Sequence, residues 1–157
     1  MNRSWVDLPA PARPIAVAVD DAVTAARRHD PEALAVAVDA LAAQDPAQAG
    51  LVLGTLVRLL LEDAHPDGLD ADDIREVLRR CVRGAAPWQP DVDPHVLLVL
   101  LAGALGVLEP DTPSPGPEAA AHHAALLLAE LTEGSGRPFT EQLSRAFTEI
   151  EQTRLDD

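Results

Sequence analysis

At 157 residues with 47% hydrophobic content, the chain has the size and apolar mass of one ordinary globular domain. Its formal net charge of −14 argues against nucleic acid as a partner, because that binding needs a cationic surface to displace phosphate counterions. All twelve cations are arginine and none is lysine, which removes lysine nucleophiles and Schiff-base chemistry.

Aromatic residues make up only 3% of the chain and tyrosine is absent. The core must then be built from Leu, Val and Ala, which favours close helix packing over a sheet. The exclusive use of arginine, with scarce Asn and Ile, reads as the codon economy of a GC-rich bacterial genome. Cys81 is the single cysteine, so the chain holds no disulfide framework and a reducing compartment fits. Pro9, Pro11, Pro14 and Asp20-Asp21 break up any signal-peptide core. The longest uncharged apolar run, Val96 to Leu108, falls well short of the ~20 residues of a bilayer span. A cytoplasmic location without membrane association is expected.

Residues 1–14 are expected to form an extended arm, held out of helix by three prolines and pinned to the body by Trp5 and Leu8. Residues 15–157 read as a single helical domain. A first helix, 15–29, turns Ile15, Val19, Ala22 and Ala26 inward and Asp20, Asp21, Thr24, Arg27 and Arg28 outward. Asp30-Pro31 and Asp45-Pro46 open the second and third helices, 31–43 and 46–64. In each pair the Asp carboxylate can accept first-turn amide hydrogens, while Pro brings a preset φ to a position that needs no donor. The second helix presents Leu34, Val38 and Leu41 inward. The third keeps only Gln48, Thr55, Arg58 and Glu62 as a polar stripe, so it is expected to be mostly buried.

Pro66-Asp67-Gly68 marks a turn, and Asp70 is the N-cap of a fourth helix, 71–83. Ile74, Val77, Leu78, Cys81 and Val82 give it a clean apolar face, and Gly84 is expected to close it in a left-handed cap. Asp93-Pro94 opens a fifth helix, 94–108, which is apolar on every side and therefore expected at the centre of the domain. A proline-rich connector, 109–117, leads to a sixth helix, 118–132, with Ala124, Leu127, Leu128 and Leu131 inward. After a Gly-Ser link, a seventh helix, 138–155, turns Phe139, Leu143, Phe147 and Ile150 inward. The fold class is all-α, a single-domain bundle of about seven helices with a central apolar helix. Helix pairs starting near Pro31, Ala71 and Glu118 recur at roughly 40 to 47 residues, so a short helical-hairpin solenoid is the alternative.

Residues able to do chemistry are sparse. Glu62-x-x-His65 has the spacing by which bundles present metal ligands, but it occurs once, at a fraying helix end before Pro66, where His65 is better placed to compensate the helix dipole. Glu118 and His122 share a helix face at chelating spacing without a third ligand, since His123 points about 100° away. Asp67 to Asp73 looks like half of a calcium loop, yet it puts Ile74 where a bidentate Glu is required. Cys81 sits on an apolar face as a small hydrophobe. Arg75, Arg79, Arg80 and Arg83 lie among Asp72 and Glu76, which reads as a self-neutralised helix surface. No catalytic residue, metal or cofactor is assigned.

Charge distribution is the strongest functional signal. From Gly84 to Gly136 there is no arginine, while Asp91, Asp93, Glu109, Asp111, Glu118, Glu130 and Glu133 all fall there; only His95, His122 and His123 could offset them, at low pH. Trp88, between Pro87 and Pro90, is either a partner anchor or a lid on the core. The functional expectation is a non-enzymatic acidic helical module that meets a basic or neutral protein partner through Trp88, Asp91, Asp93, Glu118 and Glu130, and a homodimer is compatible with it. The alternative is a small-molecule-binding bundle, or an enzyme, with an apolar pocket beside the fifth helix, where Ala102, Gly103, Ala104 and Gly106 leave room, although close helix packing without a void is the preferred reading of these residues.

Overall fold

Seven helices make up residues 12–156, the part of the chain that the computed structural model describes. They are α1 (Ala12–Arg27), α2 (Pro31–Ala42), α3 (Pro46–Ala64), α4 (Ala71–Ala85), α5 (Pro94–Ala104), α6 (Pro117–Ser135) and α7 (Phe139–Asp156). No strand occurs among the described residues. Trp5 and Leu8, and most of the expected N-terminal arm, lie outside them.

The helix starts follow from local chemistry. The Asp30 carboxylate accepts from the Ala33 N–H at 3.1 Å, Asp45 from the Gln48 N–H at 3.0 Å and Asp93 from the His95 N–H at 2.9 Å. Asp70 and Asp73 form a reciprocal capping box, with Asp70 accepting from the Asp73 N–H at 2.8 Å and donating its own N–H to the Asp73 carboxylate at 3.0 Å. The Asp73 N–H is the main cause that holds the Asp70 carboxyl below the ordinary aspartate range.

Several helix ends differ from expectation. α1 begins at Ala12 and takes Pro14 into its first turn, where a missing N–H costs nothing, so residues 12–14 of the expected arm are helical. α4 runs through Gly84 to Ala85 and ends at Ala86 in the right-handed conformation; Ala85 is buried, and its packing carries the helix past the glycine. α5 stops at Ala104, short of Leu108, because Gly106 takes a φ of 74° and the Val107 N–H reaches back to the Ala102 carbonyl at 3.0 Å. Thr55, expected on the wet stripe of α3, is buried, as is Asp20 on α1.

A central apolar helix organises the bundle, but it is α6 rather than α5. α6 packs against α1, α2, α3, α4 and α5, and its Ala121, Ala124, Ala125, Leu127 and Leu128 are fully covered. Alanine on several faces lets five neighbours approach closely, which a ring of large side chains would prevent. α5 spans only 11 residues and buries Leu97, Val99 and Leu101 against α3, α4 and α6, while Leu98 stays 43% exposed. α7 closes the far side against α3 and α1, reinforced by Arg145 to Asp63 at 2.6 Å and Arg58 to Glu149 at 3.4 Å. Because α6 touches helices from across the chain, the architecture is a bundle and not a solenoid, whose units touch only their neighbours.

Candidate functional site

Two clefts and one buried polar joint among the described residues bring together most of the residues that the sequence marks out. The larger cleft, about 510 Å³, lies beside α5. It is lined by Ala47, Gly50, Leu53 and Gly54 of α3, Val99, Gly103 and Ala104 of α5, and Ala120 and Ala124 of α6, together with Leu41 and Leu108. A Cβ added at Gly50 or Gly54 would meet nothing within 4 Å, so these glycines face open space and not a packed neighbour. Polar groups are few. Gln44 and Ser114 reach the lining, and the Gln44 amide already donates to the Ala40 carbonyl at 3.3 Å.

Three exposed acids adjoin the lining in sequence: Asp45 precedes Pro46, Glu109 follows Leu108, and Glu118 follows Pro117. The nearest cation in sequence, Arg58 beside Val57, is committed to Glu62 at 3.2 Å and Glu149 at 3.4 Å. Of the seven acids between Gly84 and Gly136, Glu133 is the one held in an ion pair among the described residues, by Arg27 at 3.4 Å.

A polar joint ties α5 to α6. The Asp93 N–H donates to His123 Nε2 at 2.9 Å, which leaves Nδ1 to carry the proton and donate to the Ala119 carbonyl at 2.8 Å. His123 is thus a neutral, buried ring fastening the start of α5 to the central helix. Next to it, His122 donates from Nε2 to Gln89 Oε1 at 2.7 Å, its ring edge-on to His123 at 4.9 Å. Burial lowers the His122 pKa, His123 adds to this, and Asp91 and Glu118 oppose it.

The second cleft, about 400 Å³, opens where the ends of α1 and α4 meet the later half of α6. Trp88 is half-buried there, packed on the core by one part and stacked on His29 by another, with ring centroids 4.9 Å apart and planes 10° from parallel. Glu130 lies on the same wall, its Oε1 3.4 Å from where a Cβ on Gly84 would stand. Buried Cys81 also lines this cleft, and burial pushes its thiol up to about 12, with the charge of Glu130 adding to the shift.

The five residues expected to meet a partner therefore divide. Trp88 and Glu130 share the second cleft; Asp91 and Glu118 act on His122 from the exposed surface; Asp93 is used in capping α5. The sequence offers His123 only as a neighbour of His122 and a countercharge; its role as acceptor for the Asp93 N–H depends on an amide 30 positions away. His29 carries a weak signal as a non-glycine residue between a helix end and Asp-Pro.

The other motifs resolve into structure. His65 Nδ1 meets the Leu61 carbonyl at 3.0 Å, as fits a helix end, and Nε2 lies 4.0 Å from Asp73. Arg75 pairs with Asp72 at 2.7 Å and Arg79 with Glu76 at 3.0 Å on the exposed side of α4. Among the described residues, no group of three or more His, Cys, Asp or Glu side chains is placed to hold a metal ion, and no helix is long and apolar enough to cross a membrane. No family model, curated protein or solved structure matches the chain.

Proposed function

We propose that this chain is a non-enzymatic interaction module that captures a protein segment carrying apolar side chains flanked by arginine or lysine. The observation that carries the reading is the coincidence of an open apolar cleft of about 510 Å³ with the exposed acids Asp45, Glu109 and Glu118 next to its lining in sequence, none of them in an ion pair among the described residues. Apolar side chains of the partner enter between α3 and α5 and cover the lining residue Leu108, which is 38% exposed. Basic flanks meet Asp45, Glu109 and Glu118, which speeds encounter and rejects acidic competitors.

A second reading, an apolar small molecule in the same cleft, draws on its ligand-like volume. It is the weaker one, because a lining with only Gln44 and Ser114 as polar groups has little with which to orient a ligand. Calorimetric titration with a synthetic amphipathic helix, leucine on one face and arginine on the other, separates the two. The arginine peptide binds, its affinity falls as salt rises, and the same helix with glutamate for arginine does not bind. Gly54→Leu, which fills the cleft from a position with free space, abolishes the interaction. Equal binding of both peptides, or of neither, contradicts the proposal.

A further inference from the structure

The cleft that holds Trp88 has a construction that folding alone does not require. Two hydrogen bonds close α1, His29 N–H to the Ala26 carbonyl at 3.2 Å and Asp30 N–H to the Ala25 carbonyl at 3.0 Å. This closure places residue 29 in the left-handed region, with φ of 54°, a conformation for which glycine is the low-energy choice. The chain instead keeps an imidazole there, and the ring is stacked flat on Trp88 at the cleft wall. Strain held at one residue whose side chain builds a cavity wall points to use of that cavity.

Charge completes the picture. Glu130 is only partly exposed and makes no hydrogen bond or ion pair with any described residue, while Arg27, the cleft's own cation, is taken by Glu133 at 3.4 Å. An aromatic wall beside an unanswered carboxylate repels anions and suits a cation with an apolar stem. We propose that this cleft binds one alkylguanidinium or alkylammonium group, Glu130 supplying the countercharge and the Trp88–His29 pair the apolar wall. The two clefts share no lining residue, so this site is separate from the apolar cleft and does not depend on its reading.

The chain has two tryptophans, so in a Trp5→Phe background Trp88 is the sole indole fluorophore. Its emission is titrated with n-butylguanidinium, n-butylammonium and the neutral n-butylurea. Both cations give a saturable change and the urea gives none. Glu130→Gln, nearly identical in shape, weakens the cations by about tenfold or more, as loss of a charge-assisted contact does. Glu130→Asp, which keeps the charge, gives an intermediate affinity. His29→Gly removes the stacked ring while relieving the backbone, so binding weakens although the thermal midpoint is maintained. A blocked Gly-Arg-Gly peptide identifies the source: affinity about tenfold above that of n-butylguanidinium shows that the group arrives on a polypeptide, and equal or lower affinity shows a free amine or guanidine. No saturable change with either cation, equal binding of the urea, or full affinity in Glu130→Gln overturns the proposal.

Discussion

His122 gives the acidic surface a pH-dependent component. Burial is the main cause that lowers its pKa from the ordinary 6.5, so below that pH the unfolded chain takes up a proton that the folded chain resists. Stability is therefore unaffected by this group above pH 6.5 and declines as pH falls beneath it. His122→Gln flattens the decline below about pH 6.5 in urea unfolding, and an unchanged slope contradicts the assignment. Cys81 gives a second test at this scale. With its thiol pushed up to about 12 under α6, it stays unreactive toward a disulfide reagent near neutral pH in the folded protein and reacts fully on unfolding; rapid native labelling contradicts this placement. Single residues were legible in the sequence where their partners are local. The Asp caps act on amides two or three positions away, whereas His123 is hydrogen-bonded to an amide thirty positions away, a distance at which sequence pattern carries no information.

Caps and glycines set the stability of individual elements. Asp30→Ala removes the acceptor at the start of α2 and costs about 1 kcal/mol in chemical denaturation; a change near zero means that the first-turn amides are satisfied by water. Gly54→Ala works in the opposite direction. The position lies inside α3, its added Cβ meets nothing within 4 Å, and alanine lowers the entropy of the unfolded chain, so stability rises by about 0.5 to 1 kcal/mol. Destabilisation by Gly54→Ala indicates that the cleft wall is closed in solution. Helix number and order could be read directly from capping and periodicity, because both are short-range. The position of α5 could not. A helix with no polar face has two solutions, burial in the middle or burial on one side with the other left for a partner, and hydrophobicity alone does not choose between them. Packing chose α6 as the centre, since alanine-rich surfaces admit more neighbours at short range than leucine-rich ones.

At the scale of the whole molecule, a net charge of −14 on 157 residues combines with a segment that contains no arginine from Gly84 to Gly136. That segment forms α5, the connector and α6, which together supply much of the lining of the apolar cleft and the adjoining acids Glu109 and Glu118. The charge run was plain in the sequence, whereas the small residues around Gly103 and Ala104 read there as close helix packing more readily than as a void. The α3 wall was not legible, because nothing in the spacing of Gly50 and Gly54 tells whether a neighbouring helix stands against them or away from them. The pairing of Trp88 with Glu130 likewise emerges only when the end of α4 is laid against α6. Amide hydrogen exchange with and without the leucine–arginine helix tests the central claim most directly. Added protection confined to residues 46–54, 98–108 and 114–124 is the predicted result, and unchanged exchange there, or protection centred on another face, would contradict it.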